Sequence, residues 1–129
     1  MPESTKPAPG QVAWIDLTVP DADAVRDFYQ QVTGWTASSV DMGGYADYCM
    51  NSSAGNMVAG ICHARGVNAG LPPVWMVYIA VANLDEAMRL SVERGGKIRI
   101  PPKNLSGHDR YCVIEDPAGA LAARCEAKP

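Results

Sequence analysis

The sequence contains two halves that match each other, and this internal repeat restricts the possible fold more than any other feature. Residues 12–35 align without a gap within the segment 73–97 at a constant offset of 62 residues. The offset pairs Trp14 with Met76, Asp16 with Tyr78, Val19 with Val81, Asp21 with Asn83 and Gly34 with Gly96. Each half is too small to bury a sheet face alone, so the two halves must share a core.

Each half predicts a strand, a helix and then three strands. The segments 12–19 and 75–81 are β-rich runs that end at a turn, and the other strands are predicted near 36–41, 46–50, 57–63, 97–100, 110–115 and 120–125. Asp21 and Asn83 are natural N-caps, with Glu86 completing a capping-box-like pair. Gly34 and Gly95–Gly96 end the helices. The apolar residues at helical spacing are Val25, Phe28, Tyr29 and Val32 in the first helix and Leu84, Ala87 and Met88 in the second.

Length and charge indicate an ordinary globular chain. The 129 residues predict a flexible N-terminal arm, 1–10, and one domain, 11–126, with repeat units at about 11–63 and 74–126. The net charge of -3 gives no electrostatic reason to expect nucleic acid or an anionic membrane as partner. No apolar run approaches the roughly 20 residues of a membrane span, and the N-terminus lacks a signal core. We therefore expect a cytoplasmic protein.

The four cysteines predict packing rather than chemistry. Tyr48-Cys49 followed by Cys62 matches Tyr111-Cys112 followed by Cys125, with the same spacing inside each half. No CxxC pair suggests zinc or redox work. We expect buried free thiols at repeat-equivalent positions.

The chain resembles the vicinal oxygen chelate superfamily, also called the glyoxalase/bleomycin resistance/dioxygenase family. The resemblance rests on WIDLTVPDADAVRDFYQQVTGW, on VYIAVANLDEAMRLSVERGGKI and on VIEDPAGALA with its DP-x-G turn. It implies an α+β fold in which tandem βαβββ repeats pair side by side, so that a mixed sheet curls into a partly closed cup. It also implies a frequent homodimer. Some members are glyoxalases, dioxygenases, epimerases or fosfomycin-modifying transferases, whereas others are metal-free and sequester an antibiotic, so membership alone does not assign a function.

The family resemblance places metal ligands on the first and last strands of each unit, and this chain departs from that pattern. The corresponding positions are Trp14, Met76 and Ala123, with Ala59 or Gly60 in the first half. None of these side chains can bind a hard divalent metal. A slip of register gives Asp16, Tyr78 or Ala122, which is still a poor set. We predict no metal and no cofactor, with a divalent metal at a non-standard site as the alternative.

The remaining polar residues suggest no replacement metal site. His63 and His108 each lack a second histidine at ligand spacing, and they are predicted to be a strand-end residue and a solvated loop residue. Asp116 is predicted to fix the turn before Pro117, with a role as catalytic acid the weaker alternative.

The residues at and beside the strand positions of the family's metal ligands indicate a surface that can bind a flat molecule. Trp14, Asp16, Met76 and Tyr78 share the alternating strand face, and Tyr48 and Met50 join them if their register points inward. Aromatic side chains beside small residues accept a flat molecule by stacking. We predict metal-independent binding of an aromatic or antibiotic-like molecule.

Three alternatives to ligand binding stay open. In the first, Trp14, Met76 and Tyr78 are core residues that fill the cup, as in a structural or regulatory module. In the second, the protein is a lyase-, isomerase- or dioxygenase-type enzyme, with Asp16 and Tyr78 as candidate acid–base residues or with a displaced metal. In the third, the carboxylate of Asp16 pairs with an arginine or with Tyr78 instead of meeting a ligand.

Overall fold

A computed structural model describes residues 7–104 and 110–126. Its chain folds into two compact units, which we call the first unit (Trp14–Trp75) and the second unit (the residues up to Ala13 together with those from Met76 onward). The elements are β1 Val12–Val19, α1 Ala22–Thr33, β2 Thr36–Asp41, β3 Ala46–Asn51, β4 Met57–His63, a 3-10 turn Gly66–Asn68, β5 Trp75–Val81, α2 Leu84–Glu93, β6 Lys97–Asn104, β7 Arg110–Glu115 and β8 Leu121–Glu126.

Both units have the predicted order of strand, helix and three strands. In the first unit the strand order is β2-β3-β4-β1, with β1 parallel to β4 and the other pairs antiparallel. The second unit has the corresponding order β6-β7-β8-β5, with β5 parallel to β8. A helix crossover between β1 and the following strands makes the parallel pair possible. The predicted α+β fold of tandem βαβββ units in mixed sheets is confirmed.

The helix ends are set by the residues that the sequence predicts. Asp21 accepts a hydrogen bond from the Ala24 N–H at 3.1 Å, and Asn83 accepts one from the Glu86 N–H at 3.0 Å. Gly34 ends α1 with a left-handed φ of 78°, a conformation that only glycine adopts without strain. The expected capping-box contact of Glu86 is wrong, because its carboxylate binds the Arg89 guanidinium instead.

The first unit buries its apolar residues between α1 and one face of its half-sheet, which we call the α1 face. The buried side chains on this face include Leu17, Met50 and Ile61, and Val25 and Tyr29 of α1 pack against them. The predicted apolar stripe of α1 is only half buried, since Phe28 and Val32 are 55% and 62% exposed. The helix rests on the sheet through Val25 and Tyr29, which turns Phe28 and Val32 toward solvent.

The second unit repeats this packing around α2. Leu84 of α2 and Cys112 and Ile114 of β7 form its buried cluster, which defines the α2 face of the second half-sheet. The carboxylate of Glu126 caps the helix by accepting from the Leu84 N–H at 3.1 Å, and it also binds Arg110 at 2.9 Å. An interior carboxylate is therefore held by an N–H group and a guanidinium.

The predicted arm lies partly outside the described residues, which begin at residue 7. Its last residues contact the second unit, where the Gly10 N–H donates to the Ala80 carbonyl at 2.7 Å. No helix within the described residues is long and apolar enough to cross a membrane.

Candidate functional site

The candidate site lies on the face of the first half-sheet opposite α1, which we call the far face. Side chains alternate along a strand, so Trp14 and Asp16 of β1 project away from the α1 face that holds Ile15 and Leu17. Register places Gly60 of β4 beside Asp16. This pairing also settles which first-half residue corresponds to Ala123, because Tyr78, the repeat partner of Asp16, pairs with Ala123. The equivalent position is Gly60 rather than Ala59.

Trp14 lies over Gly60. A methyl group added at Gly60 would stand 3.4 Å from Cζ2 and 3.5 Å from Nε1 of the indole, which is ordinary contact, and 3.1 Å from Cβ of Asp16, which is a tight one. The absence of a side chain at Gly60 therefore relieves a tight contact with Asp16 and leaves the space beneath the indole open. The indole and Asp16 are half-buried, so part of each remains accessible to a small molecule.

A pair of thiols continues the far face beside Asp16. Cys49 pairs with Gly60 across β3 and β4, and Cys62 lies two residues further along β4. Burial raises the pKa of the Cys62 thiol, and the negative charges of Asp16 and Asp47 raise it further. Burial also raises the pKa of Cys49. None of the four cysteines forms a disulfide, as predicted, and the raised pKa values of Cys49 and Cys62 favour their protonated thiols.

Tyr48 and Met50 lie on the α1 face, so the predicted inward register of these two residues is wrong. Tyr48 pairs with Ile61 and Met50 with Ala59, and all four belong to the buried cluster beneath α1. Tyr48 is 7% exposed and Met50 is 0% exposed. A one-residue change of register moves a side chain to the opposite face of a sheet, and the residue facing the candidate site is Cys49.

The same shift shows that Cys49 and Cys112 are not equivalent, which corrects the predicted repeat. Cys49 pairs with Gly60, whereas Cys112 pairs with Arg124, and Val113 takes the place beside Ala123. Cys112 consequently lies in the core under α2. The matching Tyr-Cys dipeptides hide this difference because β3 and β4 contain a register irregularity near Met50 that the second hairpin lacks.

Met76 and Tyr78 occupy the corresponding face of the second unit and are nearly inaccessible. They are 4% and 7% exposed, and the Tyr78 ring lies 5.9 Å from the ring of Tyr111. Of the predicted ligand residues that point away from the helices, Trp14 and Asp16 in the first unit thus present the larger surface. The joint role of Asp16 and Tyr78 in acid–base chemistry stays a prediction, because the two residues belong to separate units.

A cluster of polar side chains at one end of the first half-sheet escaped prediction from the sequence. His63, the last residue of β4, lies 3.7 Å from Asp23 and 3.4 Å from Asp47. The Tyr48 hydroxyl donates to Asp23 at 2.5 Å, and this bond, together with burial, raises the pKa of Tyr48. These residues come from α1, β3 and β4 at unrelated spacings, so no sequence motif connects them.

The described part of the chain offers no grouped metal ligands. Within residues 7–104 and 110–126, no three His, Cys, Asp or Glu side chains gather into a set that could hold a metal ion. Asp116 accepts from the Ala118 and Ala120 N–H groups at 2.8 and 3.0 Å, which confirms its predicted role in the turn. His108 lies outside the described residues. The metal-free character of the site stays a prediction.

Comparison with known sequences shows the relatives of the chain. The model of the Glyoxalase/Bleomycin resistance protein/Dioxygenase superfamily matches residues 11–123. The anthracycline biosynthesis protein DnrV of Streptomyces peucetius is 34% identical over 131 aligned residues, which cover 92% of this chain and 48% of DnrV. The putative glyoxylase CFP32 of Mycobacterium bovis is 32% identical, covering 98% of this chain and 49% of CFP32. The chain therefore spans about half the length of these curated relatives.

Solved structures share the fold at low sequence identity. Methylmalonyl-CoA epimerase from Mycobacterium tuberculosis superposes with a TM-score of 0.60 at 18% identity, covering 95% of this chain and 93% of the epimerase. The hypothetical protein BH1468 from Bacillus halodurans gives 0.61 at 15% identity, covering 92% and 95%. At these identities the likeness shows the fold alone.

Proposed function

Because the chain belongs to the Glyoxalase/Bleomycin resistance protein/Dioxygenase superfamily, we propose that it binds a flat aromatic small molecule on the far face of the first unit, without a metal ion. The observation that carries this proposal is the half-buried indole of Trp14 lying over Gly60. It occupies a strand position where the metal enzymes of the family place a ligand, and an indole cannot coordinate a divalent cation.

The indole supplies a flat apolar surface for stacking. Because residue 60 is glycine, no side chain stands beneath the ring at this position of β4. Stacked aromatic pairs contribute about 0.5–1.5 kcal/mol beyond the burial of their apolar area. A flat polycyclic molecule gains the most from such a surface because its whole face makes contact.

Asp16 selects among flat molecules by charge. Its carboxylate neighbours Trp14 on the same strand face, and its negative charge acts on the adjacent Cys62. A ligand that carries an ammonium group or a hydroxyl donor beside its aromatic system can donate to this carboxylate, whereas an anionic ligand is repelled. We therefore expect cationic or neutral aromatic ligands rather than aromatic acids.

The name of one relative supports a flat polycyclic aromatic ligand. DnrV is named for anthracycline biosynthesis, and anthracyclines are flat polycyclic aromatic molecules, many with an amino sugar. The chain covers 48% of DnrV, so the activity of that whole protein is not carried over. What we infer for this chain is recognition of the ligand class.

Isothermal titration calorimetry with a water-soluble, amino-sugar anthracycline tests this proposal. The metal content of the purified protein is measured first, and each titration is run with and without EDTA. We expect saturable one-site binding whose Kd is unchanged by the chelator, and no binding of the free amino sugar. A stoichiometric divalent ion whose removal abolishes binding would overturn the metal-independent site, and equal binding of the amino sugar alone would overturn the aromatic one.

We propose a homodimeric assembly from the family resemblance and a cytoplasmic location from the state of the cysteines. We expect a homodimer, which light scattering after gel filtration measures as a mass near twice 13.8 kDa. Four cysteines without a disulfide agree with a reducing cytoplasm. A monomeric mass across the micromolar concentration range would contradict the dimer.

A further inference from the structure

A cavity of about 250 Å³ opens on the outer side of the second unit, away from the face that carries Tyr78. It lies between the C-terminal half of α2 and the turn that joins β7 to β8. At roughly 30 Å³ per water molecule it has room for about eight waters, which corresponds to a small organic molecule. Nothing in the proposed function uses this cavity.

The cavity combines an apolar wall with two guanidinium groups. Leu90 of α2, Ile114 of β7 and Pro117 of the turn supply apolar surface. Arg94 at the end of α2 and Arg124 of β8 also line it. Arg124 is half-buried, with its Cβ on the α2 face of the sheet, whereas Arg94 is exposed.

The two carboxylates that line the same cavity have other partners. Glu115 forms an ion pair with Arg99 at 3.0 Å. Asp116 accepts the two N–H groups of its own turn. The Glu115 ion pair uses Oε1 and both Asp116 bonds use Oδ1, so each carboxylate already has a partner other than the two arginines of the cavity.

The two arginines, in contrast, have no carboxylate partner among the residues that the structure describes. Arg124 donates one long hydrogen bond, 3.4 Å, to the Ala123 carbonyl, and no side-chain bond of Arg94 is seen in this part of the chain. A guanidinium carries five N–H donors, so both arginines keep donors that can bind an anion in the cavity.

The backbone fixes the floor of the cavity. A methyl group at Gly96 would stand 2.7 Å from the Glu115 carbonyl oxygen and 3.0 Å from that of Ser91. The end of α2 and the end of β7 can approach this closely only because residue 96 is glycine. The close contact at Gly96 thus holds the end of α2, next to Arg94, against the end of β7.

We propose that this cavity is a binding site for a small organic anion, with the anionic head between Arg94 and Arg124 and the apolar body against Leu90, Ile114 and Pro117. Carboxylate and phosphate monoester heads both match the guanidinium fork, so the shared chemistry is an anionic oxygen pair on an apolar group. This site is separate from the aromatic site proposed at Trp14.

NMR titration of the ¹⁵N-labelled protein with benzoate, phenyl phosphate and benzamide tests the proposal. Benzamide has the shape of benzoate without its charge. We expect saturable shifts in the amides of α2 and of the β7–β8 turn with benzoate or phenyl phosphate, and at least about tenfold weaker binding of benzamide, because a charge-assisted hydrogen-bond pair is lost. The stronger of the two anions identifies the head group, and inorganic phosphate should bind more weakly than phenyl phosphate.

Matched variants locate the interaction. Arg94→Gln and Arg124→Gln should each weaken benzoate or phenyl phosphate binding by about tenfold. Arg89→Gln is the control, because Arg89 lies on the same helix but pairs with Glu86 and Glu93. Equal affinity for benzamide and benzoate, shifts confined to other elements, or unchanged binding in Arg94→Gln would overturn the proposal. Trp14→Leu should leave this binding unchanged, so the failure of one proposed site is distinguishable from failure of the other.

Discussion

Gly60 gives Asp16 its room on the far face of the first unit. A Cβ at this strand position would stand 3.1 Å from Cβ of Asp16, which is a tight contact, and 3.4 Å from the indole of Trp14, which is an ordinary one. The sequence marks Trp14 and Asp16 as unusual, since a tryptophan and a carboxylate share one strand face. It leaves two candidates, Ala59 and Gly60, for the position opposite, because the repeat can be aligned in two ways. Only the pairing of β1 with β4 chooses between them.

Replacing Gly60 by alanine tests this contact. The added methyl group must push Asp16 aside by a few tenths of an ångström, and we expect Gly60→Ala to lower the free energy of unfolding by about 1 kcal/mol. Gly70→Ala is the matched control, since a methyl group there meets nothing within 4 Å. Urea unfolding of both variants measures the difference, and equal stability of the two would contradict the tight contact between residue 60 and Asp16.

Tyr48 is the second residue whose role depends on a single contact. Its hydroxyl donates to Asp23 on α1, which ties β3 to the start of the helix. We expect Tyr48→Phe to lose about 1 kcal/mol of stability at neutral pH, because the hydrogen bond is lost and the ring remains. Tyr45→Phe, in the adjoining turn, is the control. Equal losses in the two variants would rule out a specific bond to Asp23.

The pH dependence of this bond has a defined sign. The folded state raises the pKa of Tyr48 and thus favours the protonated phenol. The associated stability is fully present below the pKa of an unfolded tyrosine, about 10, and is lost as the pH rises through the higher folded-state pKa. Above about pH 10, wild-type stability should fall more steeply than that of Tyr48→Phe. Parallel curves from chemical unfolding at a series of pH values would contradict the raised pKa.

At the scale of elements, local sequence signals were sufficient to locate the helices and strands. They were not sufficient to predict the register in which the strands pair. Strand runs, Asp21, Asn83 and the terminating glycines located both helices and the strands within residues 7–104 and 110–126, because caps and alternation act within a few residues. The end of β6 was missed, since the strand runs to Asn104 and the prediction stopped at residue 100. The face of Tyr48 depends instead on how β3 pairs with β4. Pairing reflects the hairpin that joins the strands, which the repeated Tyr-Cys dipeptide does not encode.

Substituting Cys49 and Cys112, which match in the sequence repeat but lie on different sheet faces, tests the register of the two hairpins. Cys112 is fully buried under α2, so Cys112→Ser places a hydroxyl in an apolar core and should cost about 1–3 kcal/mol. Cys49 lies half-buried on the far face of the first unit, and Cys49→Ser should cost less than about 1 kcal/mol. Urea denaturation compares them. Equal losses would mean that the cysteines are equivalent, as the repeat alone suggests.

At the scale of the whole molecule, family membership and fold follow from the sequence, whereas function depends on a few substituted positions. The repeat and the DP-x-G turn identified the superfamily that the family model also matches. The replacement of metal-ligand positions by Trp14, Met76 and Ala123 was visible in the sequence as well. The sequence did not show which of these side chains is accessible, because burial depends on how the chain packs. Met76 is 4% exposed, whereas Trp14 is half-buried.

Ligand binding should stabilise the protein by mass action. At a free ligand concentration about 100 times Kd, one site adds about 2.7 kcal/mol, which raises Tm by on the order of 10 °C for a chain of this length. Differential scanning fluorimetry with an amino-sugar anthracycline and EDTA measures the shift. An unchanged Tm at saturating ligand would favour the alternative in which Trp14 only fills the core.

The most direct test of the account is the ratio of anthracycline Kd values between Trp14→Leu and the wild-type protein, measured by calorimetry in EDTA. Leucine keeps an apolar side chain at this position and removes the stacking surface. We predict an affinity loss of about tenfold. Trp35→Phe, in the aromatic cluster with Tyr29 and Trp75, should leave Kd unchanged. A Trp14→Leu protein that is folded and binds as tightly as wild type would contradict the central claim.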